Sequence, residues 1–473
     1  MILMHTRRNW RMAVALLPVL AGFAGLATIS GCASKNPPNR AELSQQAMQQ
    51  VQLPAHWVSA KTAGQFDAEA LGFELPAELQ ALILEAQANN PDLRLAASRV
   101  AQSQVAAKAA GAALLPSLGL GAQIGESVIP TSSMAVNGLA LVVNWEIDIW
   151  GKVRDSQTAA TEISLASELD ILYARQSIAA AVVKAWLAIA EANSQLRLAQ
   201  EMSALSQKQL KLMLLGQQVG RNTQFDVVNN QISLKVYQQQ VIQSEQALSS
   251  GKRALEVLIG RYPGAEIAIN ATLPASPSPI PVGLPSDLAE RRPDMRAAEG
   301  RFRAAFYNVE IAKKAKLPSI SLKAGLGILD KNVLAFQQDL SNPVTGISAG
   351  FLAPLFTGGA LDAQIEVKTL QQQEATVAYA KSMLTALSEI EAGLYADQKL
   401  EDRYRLLEAQ LGDQQKLVEL QRVQIKVGKG DMYQLQMQEL GVVNSRINLL
   451  RMQNERLIQR VNLHLALGGV YKI

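Results

Sequence analysis

The 473-residue chain contains one cysteine, Cys32. No disulfide can form within a protomer, and no cysteine-built metal site is available. Histidine is nearly as scarce: His5, His56 and His464 stand far apart and supply no paired metal ligands. Gly119-Leu120-Gly121 and Gly358-Gly359 lack the spacing of a phosphate loop or a dinucleotide fingerprint. Charged runs such as Glu401-Asp402-Arg403 fit the solvated face of a helix. No catalytic constellation, metal set or cofactor motif emerges, so the chain does not read as an enzyme. Excess charge is also missing. The formal net charge is +4, and Arg7, Arg8 and Arg11 supply three of those charges within the first 31 residues. The remainder, near neutrality, carries no basic patch for nucleic acid. Beyond those 31 residues no apolar run reaches 18 residues, so no transmembrane helix is expected there. Proline is absent from 151–262 and from 355–473.

What the chain does contain is a copy of itself. Adding 202 carries Pro91, Asp92, Arg94, Arg99, Leu115, Pro116 and Ser117 onto Pro293, Asp294, Arg296, Arg301, Leu317, Pro318 and Ser319. At an offset of 208, Val219-Gly220 falls on Val427-Gly428 and Gly260 on Gly468. A period near 200 residues is too long for a solenoid and reads as a duplicated half-domain. Length alone suggests about three domains; the duplication argues for one architecture in two halves.

The N-terminus reads as a secretory leader, residues 1–31, with a basic start and an apolar run over 12–29. Ile29-Ser30-Gly31-Cys32 follows. This pattern resembles a bacterial lipobox, which implies that Cys32 becomes an acylated first residue. The aspartate that usually retains such lipoproteins at the inner membrane is missing after it, which fits outer-membrane sorting. Residues 32–75 are polar, with Pro37, Pro38 and Pro54, and read as an extended tether.

The first repeat spans 76–262. Leu79, Leu82, Ile83 and Ala86 follow helical spacing, and Asn89-Asn90-Pro91 breaks the helix. After Pro116 the period becomes two. Leu118, Leu120, Ala122 and Ile124 alternate with small or polar residues. Beyond a turn at 130–133, Leu141, Val143, Trp145, Ile147 and Ile149 alternate with Val142, Asn144, Glu146 and Asp148. This places two strands at about 117–150. The second repeat, 287–473, gives two more at about 319–356, with Ile320, Leu322, Ala324, Leu326 and Ile328 on one face. Each is about ten residues long, enough to cross a bilayer core when tilted. Trp145, Ile147 and Ile149 are expected to face lipid, and Asn144, Glu146 and Asp148 a wet lumen, with Trp150 at the interface where aromatic girdles lie. Four strands cannot close a barrel, and an open edge cannot lie in lipid, so if these strands span a membrane several protomers must share one barrel. A half-buried sheet on a soluble core is the commoner source of such alternation.

The rest is helical. Leu198, Leu205, Leu212 and Val219 recur every seven residues, as do Val443, Leu450 and Leu457, with Leu406, Leu420 and Val427 in the second copy. A helix over 155–218 would be nearly 100 Å long, more than three bilayer cores. Val219-Gly220 and Val427-Gly428 read as hairpin tips with helix-terminating glycine. Six of the 18 prolines fall in a linker, 263–286. The fold class is mainly α with a small membrane β part, four strands per protomer continued by long antiparallel coiled coils, in an internal two-fold repeat.

Taken together, the lipobox, Trp150-Gly151-Lys152, the stretch Arg292-Pro293-Asp294-Met295-Arg296-Ala297-Ala298-Glu299 and the paired Val-Gly tips resemble the outer-membrane efflux proteins. The likeness covers nearly all of the mature chain, and is nearest the lipoprotein, NodT-like branch that serves resistance-nodulation-division pumps. It implies a homotrimer with a 12-stranded barrel and a periplasmic helical tunnel. It also implies a periplasmic adaptor and an inner-membrane pump as partners. Relatives place acids near the far tips. Asp226 matches one such position, and Asp431 stands in where the second repeat has Gln434. Gly220, Asp226, Gly428 and Asp431 are thus expected at the gate and adaptor contact, although both aspartates also suit helix capping. A duct for type I protein secretion would look much the same, and a non-spanning coiled-coil lipoprotein is the remaining alternative. If Cys32 is acylated, Cys32→Ser abolishes palmitate labelling and leaves the leader uncleaved; normal labelling and processing of the variant would rule the assignment out.

Overall fold

The computed structural model describes residues 35–471 except 50, 52–53, 61–66, 68, 70, 130–131, 270, 279–281, 284, 286–287 and 331–342. Cys32, the leader and residues 130–131 of the expected 130–133 turn lie outside the described residues, and Ser132 and Ser133 are already strand. In chain order the elements are α1 (Arg40–Ala47), α2 (Ala77–Asn89), α3 (Pro91–Ala112), β1 (Ser117–Ile129) and β2 (Ser132–Ile147). Then follow α4 (Lys152–Gln218), α5 (Gln224–Leu258), α6 (Leu288–Arg291), α7 (Pro293–Lys314), β3 (Ser319–Asp330), β4 (Pro343–Leu352), α8 (Ala360–Lys426) and α9 (Met432–Ala466). They fall into two compact units. One gathers the described residues up to 43 with 103–164 and 301–376; the other gathers 44–102, 165–300 and 377–471.

The first unit holds a fully antiparallel sheet in the order β1-β2-β3-β4. Proline is kept to its margins. Pro343 opens the edge strand β4, and Pro354 lies two residues past its end, so neither removes an interior ladder bond. β2 stops at Ile147, three residues short of the expected boundary. Asp148 and Ile149 therefore lie beyond the sheet, and the apolar alternation runs on after the backbone has left the ladder. β4 likewise ends at Leu352 rather than near 356. Beside the sheet, Lys314 Nζ reaches Asp155 Oδ2 at 2.6 Å and the Gly151 carbonyl, both side chains nearly fully buried.

In the second unit α4 meets α9 along an antiparallel seam. Trp186, Val183 and Leu187 pack with Leu457 and Val461, and α2 (Leu79, Leu82, Ile83) and the end of α5 (Leu255, Ile259) join the same core. Each such side chain contributes about 1.5–3 kcal/mol on burial. With no proline to interrupt them, α4 and α8 each run for 67 residues, about 100 Å at 1.5 Å per residue. The break between α2 and α3 falls at Asn90, whose Oδ1 accepts from the Asp92 and Leu93 amides while its Nδ2 donates to the Leu258 carbonyl. At the equivalent place in the second copy stands Arg292, which donates to the Ala466 carbonyl. The offsets that relate the sequences thus relate the contacts as well.

Two segments differ from expectation. Residues 35–75 form α1 and then pack, with Leu43, Met48, Trp57 and Leu71 buried. Glu391 accepts from the Val58 and Ser59 amides, and Ser44 Oγ meets Tyr379 Oη at 3.0 Å. The proline-rich linker buries Ile267, Ile269 and Val282. Side chains from the helices hold it: Asn193 donates to the Ile269 carbonyl, Gln453 to Pro274 and Arg456 to Ser276 Oγ. Arg460 reaches the Ser278 carbonyl and pairs with Asp397. Both segments look extended in composition because their apolar runs are short and broken by proline and polar residues.

Lys314→Met would strand the buried Asp155 carboxylate without this cation, at an expected cost of about 3–5 kcal/mol. Adding Asp155→Asn should recover most of that loss. Thermal melts of both variants check the pairing, and equal loss in single and double variants would refute it.

Candidate functional site

The strand register decides how the two faces of the sheet are composed. Leu118 pairs with Val143, Val143 with Ala324 and Ala324 with Ile347; Ile147 pairs with Ile320 and Ile320 with Phe351. Leu120, Leu141 and Leu326 form another row, which ends on Thr345, and Trp145 aligns with Leu322 and Ala349. Apolar positions therefore coincide across all four strands. Among the described residues nothing covers much of this face: Leu118 is 70% exposed, Ile347 88% and Phe351 70%. That is the wrong disposition for a half-buried sheet on a soluble core, whose apolar face would be packed. The opposite face carries Asn144 with Lys323 and Ser348, Glu146 with Ser321 and Gly350, and the small row Gly119, Val142, Gly325, Gly346. Glu146 pairs with Lys152 at 2.6 Å.

At the foot of the sheet the two indole N–H groups are satisfied by backbone. Trp145 Nε1 donates to the Leu114 carbonyl and Trp150 Nε1 to the Pro318 carbonyl. A ring with an apolar body and a satisfied polar edge suits a water–apolar boundary. Asp148 has a different role from the lumen-facing one expected of it. Its carboxylate accepts from the Val153 and Arg154 amides and from the Arg154 side chain. It satisfies the first turn of α4, where the orphan amides and the dipole both favour an anion. The usable signal was its place four residues before the helix begins.

The hairpin tips are built alike. Gly220 (φ 74°) and Gly428 (φ 75°) adopt the left-handed conformation that ends a helix. The Arg221 amide donates back to the Gly216 carbonyl and Lys429 to Gln424, the same helix-closing bond in both copies. Nothing lies within 4 Å of where a side chain would begin at either glycine. Asp226 and Asp431 both cap helices. Thr223 and Asp226 form a reciprocal capping box at the start of α5, and Asp431 accepts from the Tyr433 amide at the start of α9. The Thr223 backbone and hydroxyl hydrogen bonds hold the Asp226 carboxyl below its ordinary 3.8.

Sequence reasoning named Arg292-Pro293-Asp294 but not its contacts. The buried Arg292 guanidinium makes a bidentate pair with Asp294, bonds to Glu389, and stands 5.7 Å from the Tyr173 ring. Burial alone would lower its basicity; the two carboxylates outweigh that and hold it above an ordinary arginine.

Among the described residues no helix is long and apolar enough to cross a membrane, and no group of three or more His, Cys, Asp or Glu side chains could hold a metal ion.

An open amphipathic four-stranded sheet with long helical hairpins is the fold of outer-membrane channels. The chain superposes on the Campylobacter jejuni CmeC outer membrane channel with a TM-score of 0.79, at 20% identity over 93% of this chain and 94% of that one. With VceC of Vibrio cholerae the TM-score is 0.75, at 25% identity over 84% and 97%. The outer membrane efflux protein family model matches the chain twice, at residues 82–261 and 284–469. The chain belongs to that family. The pyoverdine export outer membrane protein OpmQ of Pseudomonas putida KT2440 is 30% identical over 409 residues, covering 83% of this chain and 86% of that protein. The cation efflux system protein CusC of Escherichia coli is 24% identical over 400 residues, covering 83% and 86%.

The capping box has a pH signature. Because the folded carboxyl is depressed, its contribution is complete above 3.8 and is lost as pH falls through the lower folded value. Amide protection in the first turn of α5, corrected for intrinsic exchange, should hold from neutrality to that point and then drop. Asp226→Asn should show reduced protection at neutral pH already; unchanged protection would deny the cap any role.

Proposed function

We propose that the chain is the passive exit duct of a tripartite efflux pump. Three copies share one 12-stranded barrel in the outer membrane, and their helical hairpins form a periplasmic tunnel. One observation carries this reading: an uncovered apolar face, matched in register across four strands, on a sheet with two open edges. Such a face needs lipid or a partner, and such edges need strands from other copies, because an unpaired backbone group in hydrocarbon costs several kcal/mol, or roughly 2–7 by transfer measurements. The shortest strand, β4, has 10 residues, which suffices for a tilted crossing. Trp145 and Ile147 face lipid, with Ile149 at the foot; Asn144 and Glu146 face the lumen.

The family supports the rest. An inner-membrane resistance-nodulation-division pump supplies the energy and a periplasmic adaptor joins it to the tips, where Gly220 and Gly428 leave room for close approach. The duct narrows at the same tips, and threefold symmetry turns Asp226 and Asp431 into rings of like charge. Names of relatives differ in cargo, from pyoverdine to toluene to cations, which fits a duct whose pump chooses the substrate. Cys32 carries the acyl anchor, and the mature organisation runs as a segment over 32–75, repeats over 76–262 and 287–473, and a linker over 263–286.

The sheet reading is tested by depth. Leu141 lies six residues inside the foot of β2, so Leu141→Arg should cost about 2–4 kcal/mol and impair trimer insertion. Ile147, at the strand end, should cost only about 0–1 kcal/mol as Ile147→Arg. Equal tolerance of both, with no conductance in planar bilayers from the wild-type chain, would refute a spanning sheet. The tip reading is tested by Gly220→Trp and Gly428→Trp. Each costs about 1–2 kcal/mol in backbone strain at φ > 0, and each should lower efflux while trimers still form in the outer membrane. Full efflux by both variants would remove the tips from the adaptor contact.

A further inference from the structure

The polar face of the sheet is kept bare. Gly119 and Gly121 on β1, Gly325 on β3 and Gly346 on β4 all lie on it, and none has a positive φ. A Cβ would meet nothing within 4 Å at Gly119 or Gly346, and only ordinary contacts at 3.8–3.9 Å at Gly121 and Gly325. Neither backbone conformation nor crowding therefore asks for glycine at these places, although glycine weakens a strand interior. What the four positions share is cleared space in front of the sheet.

Among the described side chains, two charges stand on the strands of this face. Glu146 is neutralised by Lys152 at 2.6 Å. Lys323 is exposed, and its cross-strand neighbours are Asn144 and Ser348, with Ser117 next in the row. No carboxylate pairs with it among the described residues. The fold does not require this lysine. Subtracting 202 carries Lys323 onto Gly121, so the same place in the first copy does without a side chain. Lysine is also disfavoured in strands. An uncompensated cation has thus been set into a wall otherwise cleared of bulk and charge.

We propose that Lys323 gives the duct a charge preference: repeated in each copy, it forms a ring of ammonium groups that draws in small anions and the anionic groups of cargo. This rests on the reading that several copies share one barrel around the polar face, and it adds the charge class of what passes. A ring of one sign lining a pore favours ions of the other, and low-dielectric walls raise their local concentration. Here glycine and serine offer no countercharge, so salt supplies the screening. The Debye length falls from about 30 Å at 0.01 M to about 3 Å at 1 M, and the preference fades over the same range.

The test uses the full-length chain in outer-membrane vesicles, with Gly119→Cys as a reporter in open space on the same face, two strands away from Lys323. A sulfonate methanethiosulfonate and a trimethylammonium one of matched length are reacted with it separately. The ratio of their rates, anion over cation, reads the local potential. At low salt Lys323→Gln should lower that ratio about threefold or more, and Lys323→Glu should lower it further. At about 1 M salt the variants should match the parent. Where Lys323→Glu does not assemble, Lys323→Gln, which adds no charge, carries the comparison. Planar-bilayer conductance of the parent chain shows separately whether a duct exists. A conducting chain whose rate ratio neither substitution changes, or whose reporter neither reagent reaches, overturns the proposal and leaves the duct standing. A parent chain without conductance overturns the shared-barrel reading, and the proposal with it.

Discussion

A sheet cannot end in hydrocarbon. Every amide and carbonyl on an open edge needs a partner, and lipid offers none. This chain has only four described strands, in one sheet with β1 and β4 at its margins. From that constraint the rest follows in order. The apolar face may be uncovered in one chain because it is not meant to be packed by that chain. In the proposed assembly the helices can be long and polar because they line a shared duct and need not fill a core.

The duplication is a scaffold on which the two halves have diverged where neighbours differ. Asn90 and Arg292 occupy one place and reach equivalent carbonyls, Leu258 and Ala466. The amide does so with a neutral side chain that also caps α3. The guanidinium brings a buried charge, and so requires Asp294 and Glu389 around it. The second half therefore fixes the junction of α7, α8 and α9 electrostatically, whereas the first relies on a neutral hydrogen-bonded amide.

Much of this was legible in the sequence, for stated reasons. Period-two alternation from Leu118 and from Leu141 marks strands because side chains alternate across a sheet. Missing proline marks the long helices, and the glycines at 220 and 428 mark their turns. Legibility fails where a pattern and its cause part company. Ile149 continues the alternation of β2, yet Asp148 has already been drawn to the amides of α4. The leucines at 406 and 420 show that a helix has a stripe, but not whose helix covers it. Leu43, Trp57 and Leu71 lie in short stretches with no sustained period, and only the folded chain reveals the sites that receive them. Asp226 is a helix cap by local chemistry, which short-range spacing from Thr223 could have shown by itself.

The linker has a consequence for chain integrity. A proline-rich connection between two halves would ordinarily be the weak point in an extracytoplasmic compartment, since a protease must draw several residues in extended form into its cleft. Here the carbonyls of Ile269, Pro274 and Ser278 are already taken by Asn193, Gln453 and Arg460, and Ile267 and Ile269 are sunk in the helical core. Peeling this stretch away would expose apolar surface and take the Ser278 carbonyl from Arg460. Nicking within 267–269 and 271–278 is thus governed by opening of the helical unit and not by composition. Over the described stretch from Ile267 to Ser278 the join between the two repeats is as durable as the fold it crosses.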